Sequence, residues 1–290
     1  MKTPRNLIFV KQKSENFNNK PSVALFYLFR IKYIAKNIFG IMKTYSYLLD
    51  VIEKKGAAYL ILIDPDKISG ERLNSFVSIC EKAGVDGFLI GGSLLMSGNL
   101  EEAIDIIKKI SSLPAIIFPG AVHQLYKNAD AVLYISLISG RNADHIIGKH
   151  IIAAPIIKRM ELEPISTGYM LIESGAKTTA EYISGSLPIP RNKPEIAVAT
   201  ALAGQFLGMK FIYLEGGSGA QQSVPKEMVF AVSNAVDVPI IVGGGIRTPQ
   251  EAREKVKSGA KVVVTGNFFE DDKNWELLKE FADAIHKKGI

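Results

Sequence analysis

Three consecutive glycines, Gly243-Gly244-Gly245, are followed at Gly266-Asn267 by a second glycine-led turn. Backbone without Cβ atoms lets successive N–H groups close around an oxyanion, so two such turns on neighbouring strand ends make a cradle for a phosphate. A further glycine-rich run, Tyr213-Leu214-Glu215-Gly216-Gly217-Ser218-Gly219, opens with a phenol and a carboxylate. Glu215 is placed to take a proton from, or orient, a hydroxyl of the bound molecule. Tyr213 can hydrogen-bond the same ligand or shield a developing cation with its ring, and packing inside a core is its alternative. In Asp64-Pro65-Asp66-Lys67, Asp64 is a hard oxygen ligand of the kind that holds Mg2+ while water and phosphate oxygens complete the shell. Ser93, after Gly91-Gly92, adds a hydroxyl. The same Asp-Pro-Asp also reads as a plain turn, with Asp66 capping the next helix.

Other chemistries lack their residues. His123, His145, His150 and His286 do not have zinc spacing, and no Gly-x-Ser-x-Gly, Walker loop or strand-anchored dinucleotide fingerprint occurs. Cys80, the only cysteine, reads as a small core residue and excludes a disulfide scaffold. A lone thiol fits a reducing cytoplasm.

What must position these groups is a series of short apolar runs separated by helical or loop segments, the alternation of a parallel sheet buried on both faces. Strands are expected at Tyr59–Asp64, Gly87–Gly92, Ala115–Pro119, Ala131–Leu137, Tyr169–Glu173, Lys210–Glu215, Pro239–Gly243 and Lys261–Thr265. Eight such strands close a TIM (β/α)8 barrel, whose chemistry sits at the strand C-termini and whose phosphate site is built from the loops after strands seven and eight. Thr248-Pro249-Gln250-Glu251 predicts a capping box, and Gly84 and Gly259 predict helix ends. Only about ten residues separate strands three and four, too few for a full crossover helix, so the third helix should be degenerate or missing.

These strand ends together resemble the geranylgeranylglyceryl phosphate synthase family. The resemblance rests on Leu-Ile-Asp-Pro-Asp-Lys (62–67), Ile-Gly-Gly-Ser (90–93), Ser-Gly-Arg-Asn-Ala-Asp (139–144) with Ile-Ile-Gly-Lys-His (146–150), Tyr-Leu-Glu-Gly-Gly-Ser-Gly (213–219), Gly-Gly-Gly-Ile (243–246) and Thr-Gly-Asn (265–267). It runs from about Met42 to the C-terminus. It implies a Mg2+-dependent prenyltransferase that joins sn-glycerol 1-phosphate to geranylgeranyl diphosphate through an ether bond, on a barrel whose third helix is lost. It also implies that Asp64 and Ser93 form the metal site, and that Tyr213, Leu214, Glu215, Gly216, Gly217, Ser218, Gly219, Gly243, Gly244, Gly266 and Asn267 hold glycerol phosphate. Arg141 is a further candidate for a diphosphate contact. The related bacterial heptaprenyl branch has a lysine where this chain has Leu62, and Tyr-Leu-Glu-Tyr-Ser-Gly where this chain has two glycines after Glu215. The sequence is therefore nearer the archaeal-like branch, which often forms dimers or hexamers, and a homo-oligomer is expected.

Charge divides unevenly along the 290 residues. Residues 1–42 hold eight Lys/Arg and one acid, whereas the remaining 248 hold 27 Lys/Arg against 28 acids. The basic character belongs to a leader, and the body offers no electrostatic reason to bind nucleic acid. Residues 1–41 are expected to be a disordered tail or sequence upstream of the true start, with one barrel domain over 42–290. Phe26, Tyr27, Phe29, Tyr33 and Phe39 leave open a transient contact with an anionic membrane surface. Two rival functions remain: a phosphate-binding barrel isomerase or epimerase, which needs neither metal nor lipid, and a non-enzymatic peripheral membrane protein with an inert barrel.

Overall fold

The apolar runs become strands because nearly every residue in them is buried: β1 (Ala58–Ile63), β2 (Gly87–Gly92), β3 (Ala115–Pro119) and β4 (Ala131–Leu137) come first. They are followed by β5 (Glu163–Leu171), β6 (Phe211–Glu215), β7 (Ile240–Gly243) and β8 (Val262–Thr265). In the computed structural model, which describes residues 43–96 and 98–286, the strands form a closed barrel in chain order. All neighbours are parallel, and β1 closes on β8 with Ala58 opposite Val262. The described residues fall within one unit, Ile41–Ile290, and the basic leader of residues 1–41 lies outside them. No helix among the described residues is long and apolar enough to cross a membrane.

Helix α1 (Lys43–Lys55) precedes the barrel, and α2 (Gly70–Ala83) and α3 (Leu100–Ile110) follow β1 and β2. No helix forms between β3 and β4. A π-turn, Asp144–Gly148, leads into α4 (Lys149–Met160). Then come α5 (Thr179–Ser184), α6 (Pro194–Phe206), α7 (Lys226–Ala235), α8 (Pro249–Lys257) and α9 (Leu278–Ile285). The expected end signals are present: Gly84 ends α2 at φ 97°, Gly259 follows α8 at φ 108°, and Thr248 and Glu251 form the capping box.

The one strand read wrongly is the fifth, which begins at Glu163 instead of Tyr169 and ends before Ile172. Its first half, Glu-Pro-Ile-Ser-Thr, lacks an apolar run, yet it pairs with Ala131–Ile135 of β4. Glu163 turns out to clamp the base of the barrel: its carboxylate accepts from the Thr44 and Tyr45 amides at 2.7 and 3.0 Å. Two orphan donors of the α1 N-terminus are thereby satisfied. Leu48 and Val51 of α1 then join the apolar interior below Leu60, Phe211 and Val262, and the Tyr45 ring meets Phe211 edge-on at 5.2 Å. Cys80 is fully buried in the outer core, as its residue type suggested.

A second clamp ties the end of α9. Asp86, 1% exposed, accepts from the Tyr59 amide at 2.8 Å and pairs with Lys55 at 2.5 Å and His286 at 2.7 Å. Burial pushes its pKa up, but these partners outweigh burial and hold it below the ordinary carboxylate value. A depressed folded-state pKa contributes stability above the unfolded value, lost as pH falls through the folded one. Asp86→Ala should therefore cost about 3 kcal/mol at neutral pH, where a partly buried pair loses one member. The deficit, read from denaturant unfolding, should shrink as the pH drops below the ordinary aspartate range.

Candidate active site

Side chains alternate across each strand, so Leu60, Leu62 and Asp64 share the inward face of the β1 end, and Phe211, Tyr213 and Glu215 that of β6. Leu214 points the other way into the outer core and contributes only backbone. Around the strand C-termini lies a cavity of about 520 Å³ that brings together Asp64, Ser93, Tyr213, Glu215, Gly217, Ser218, Gly219, Gly244, Gly266 and Asn267. Gly216 and Gly243 are outside its lining but shape its wall.

Glu215 is 6% exposed, and its Oε1 accepts from the Gly217 amide at 2.6 Å. Burial raises its pKa, offset in part by that amide and by the Tyr213 hydroxyl beside it. A carboxylate so raised is suited to accept a proton near neutral pH. The Tyr213 hydroxyl is fully buried beside the Glu215 carboxylate and makes no hydrogen bond of ordinary geometry among the described residues, and burial followed by the Glu215 charge pushes its pKa well up, so it remains a neutral phenol. Two glycines make room for this pair. A Cβ on Gly243 would lie 2.5 Å from Tyr213 Oη and 2.8 Å from Glu215 Oε2, and one on Gly244, at φ 81°, would overlap Glu215 Oε1.

The cradle is present. The amides of Gly244, Gly245, Asn267 and Phe268 have no protein acceptor among the described residues, and all four residues line the cavity. Asn267 and Phe268 open a short 3-10 helix, Asn267–Glu270, whose first N–H groups are unpaired by construction. Ser218 Oγ reaches Asn267 Oδ1 at 3.1 Å and joins the loop after β6 to that after β8.

At the end of β1, next to the β8 side of the cradle, Asp64 Oδ1 accepts from the Asp66 amide at 2.9 Å, while Oδ2 accepts no protein hydrogen bond among the described residues and faces the β2 end. A Cβ on Gly92 would stand 3.7 Å from Oδ2, which puts the carboxylate against the backbone that carries Ser93. Burial raises the Asp64 pKa. No group of three or more His, Cys, Asp or Glu side chains suited to a metal occurs among the described residues. One carboxylate with a free oxygen, a neighbouring hydroxyl and open cavity nevertheless fit Mg2+, which keeps several waters and takes substrate oxygens. Asp66 does not cap α2; its carboxylate instead accepts from the Met96 and Gly98 amides and holds the loop after β2.

Arg141 lines neither this cavity nor the one beside it, and its Nη1 donates to the Gly140 carbonyl of its own loop at 2.7 Å. Sequence reasoning missed Glu270, whose carboxylate lines the cavity, accepts from Asn267 Nδ2 at 2.8 Å and has its pKa raised by burial and then by Asp64. It also missed Tyr169 and Phe118. Tyr169 was detectable only by its alternation with Ile165 and Thr167, which requires the true start of β5.

A second, apolar cavity of about 160 Å³ lies under α4 and α5, against the ends of β3 and β4. Leu125, Val132, Leu133, Leu137, Ala153 and Ile157 supply much of its wall. His150 borders it, and burial lowers the imidazole pKa, which keeps the ring neutral. The two cavities share Gly92, Ser93, Phe118, Tyr169 and Ala180. There the rings of Phe118, Tyr169 and Tyr213 meet with centroids 5.2 to 6.0 Å apart.

Fold and site together define a (β/α)8-barrel enzyme with its groups at the strand C-termini. Within that class the chain belongs to the PcrB family, whose model matches residues 49–285. Geranylgeranylglyceryl phosphate synthase of Chitinophaga pinensis is 43% identical over 244 residues, covering 84% of this chain and 96% of the relative. The enzyme of the same name from Pyrococcus horikoshii is 42% identical over 249 residues, covering 86% and 96%. Among solved structures, (S)-3-O-geranylgeranylglyceryl phosphate synthase from Thermoplasma acidophilum, in complex with its substrate sn-glycerol-1-phosphate, superposes with a TM-score of 0.77 at 32% identity, covering 82% of this chain and 98% of that one.

Because Gly243 abuts both Tyr213 and Glu215, Gly243→Ala should displace that pair while leaving the barrel folded. Catalytic turnover is expected to fall about 100-fold, the size of effect of removing a positioned acid–base group, with far-UV circular dichroism unchanged.

Proposed function

We propose that the chain is a geranylgeranylglyceryl phosphate synthase, a prenyltransferase joining sn-glycerol 1-phosphate to geranylgeranyl diphosphate. The observation that carries this reading is the shared wall: a polar cradle with free amides and an apolar cavity meet at Phe118 and Tyr169. A phosphorylated acceptor and a hydrocarbon donor can thus bring their reacting ends to one place. A barrel isomerase or epimerase needs the cradle but has no use for the apolar cavity.

In this reading the amides of Gly244, Gly245, Asn267 and Phe268 hold the glycerol phosphate, and the prenyl tail lies along Val132, Ala153 and Ile157. The glycerol 3-hydroxyl forms a C–O bond with the allylic C1 as the bond from C1 to the diphosphate oxygen breaks, its electron pair leaving with diphosphate. The hydroxyl proton passes to Glu215, whose burial suits it to accept. The faces of Phe118 and Tyr169 wall the carbon that gains positive charge, and uncharged rings stabilise a cation there without capturing it. Asp64 and Ser93 would hold Mg2+, which supplies charge neutralisation for the departing diphosphate. The proposal includes a cytoplasmic enzyme that assembles as a homo-oligomer.

The test is transfer of label from glycerol 1-phosphate into an organic phase in the presence of Mg2+ and geranylgeranyl diphosphate, with glycerol 3-phosphate in parallel. Transfer from the 1-phosphate alone is expected, and no transfer with any prenyl length overturns the reading. Glu215→Gln should lower kcat by about 100-fold or more. Wild-type activity should fall on the acid side with a limb above the ordinary glutamate value, since protonated Glu215 cannot accept, and that limb should vanish in the variant.

A further inference from the structure

The loop after β6 presents Gly217, Ser218 and Gly219 to the cavity, and from 216 to 225 it contains no helix or strand to hold it. Its backbone is held by cations. Arg247 donates through Nη2 to the Ala220 carbonyl at 2.6 Å and through Nη1 to that of Gln221 at 3.1 Å. Arg191 Nη1 donates to the Ser223 carbonyl at 3.0 Å and also to that of Glu173 at 3.0 Å. Lys255, only 5% exposed, donates to the Val224 carbonyl at 2.6 Å. Four of the five carbonyls from 220 to 224 therefore accept from a side-chain cation.

This arrangement has an electrostatic consequence. Holding four carbonyls fixes the course of the loop's second half, which limits how far the Gly217–Gly219 segment before it can shift. It also covers the negative ends of those peptide dipoles with positive charge, which favours an anion beside the loop. Arg247 differs from the other two cations in its origin. It lies two residues beyond Gly245, in the loop after β7, and it lines the cavity itself. Its own amide is fixed by Glu251 Oε2 at 2.8 Å, part of the capping box of α8, so the guanidinium projects from an anchored backbone. The two strand ends already meet where the Gly216 amide donates to the Gly243 carbonyl at 3.0 Å, and this side chain adds a second tie further along both loops.

We propose that Arg247 is a positioning residue for the phosphate monoester: it braces the β6 loop against the β7 loop so that the Gly217–Gly219 segment, with Ser218, stays seated beside the Gly244 and Gly245 amides. The inference rests on the phosphate cradle of the proposed function, and it predicts an effect on acceptor binding separate from chemistry. Because hydrogen bonds to a charged group carry more than neutral ones, loss of the brace should be visible in affinity.

The test compares wild type with Arg247→Met and Arg247→Lys in steady-state kinetics, and in thermal melting with and without inorganic phosphate or glycerol 1-phosphate. Arg247→Met should raise KM for glycerol 1-phosphate roughly 10- to 30-fold, with kcat within about 3-fold and KM for the prenyl diphosphate unchanged. The lysine variant should recover part of the loss, because one ammonium can still serve one carbonyl. The melting shift produced by phosphate should be reduced in the methionine variant. An unaltered KM and melting shift, or a fall in kcat at constant KM, would overturn the proposal. Should Arg247→Met fail to fold, Arg191→Met releases the Ser223 carbonyl from the other side and should raise the same KM several-fold; no change there counts equally against the brace. A wild type that transfers no prenyl group would defeat the proposed function, while the phosphate melting shift would still judge the brace.

Discussion

Closure of eight parallel strands is the constraint on which the rest depends. Once every strand has two neighbours, each residue faces either the barrel interior or the surrounding helices, and the alternation leaves no third choice. Asp64 and Glu215 sit at the ends of inward-facing series that begin with Leu60 and Phe211, so the packing that orders those apolar residues also aims the carboxylates. The same closure buries Glu215 and raises its pKa. Acid–base character here follows from position on a strand and not from a dedicated partner. Glycines at 243 and 244 complete the arrangement, since the neighbouring strand end must come close enough to touch the carboxylate.

A closed parallel barrel also needs its outer face covered, and between β3 and β4 the chain supplies no helix to do it. The short crossing there is held by side chains instead: Asp130 accepts from the Ala115 amide at 2.8 Å and pairs with Lys108 at 2.6 Å. The apolar cavity lies on this side of the molecule, bounded by the β3 and β4 ends and roofed by α4 and α5. Omission of one crossover thus gives an apolar space beside a polar one, with Phe118 and Tyr169 between them. Both reach the upper layer of the barrel interior at Phe118 and Tyr169, while the layers below stay packed as in other barrels.

The parts of the site legible in the sequence were those carried by contiguous residues at strand ends. Gly243–Gly245, Gly266-Asn267 and Tyr213–Gly219 each announce a loop whose backbone approaches a ligand, and the structure brings them to one cavity. The missing third helix was legible from chain length alone. What escaped was assembled from separated segments: the apolar cavity draws on β3, β4, α4 and α5, each of which reads as ordinary core. The first half of β5 was hidden because Glu163 and Ser166 break the apolar pattern, although Glu163 has a structural partner in the α1 amides. Arg141 lies outside both cavities, with Nη1 donating to carbonyls of its own loop, an arrangement that its place after β4 does not announce. Backbone carbonyls leave no signature in side-chain identity, and for the same reason Arg191 and Arg247 could not be assigned partners before the fold was known.

The helix that seals the base has a consequence for traffic. With α1 seated on the strand N-termini by Glu163, the barrel is blind-ended, and everything must enter and depart by the rim. Under the proposed function, two substrates and two products would share the strand C-terminal rim, and the larger product would span both cavities. Such a vessel empties slowly when its surroundings cannot absorb an oily tail. For such an enzyme the medium that receives the product would then govern the pace as much as bond making.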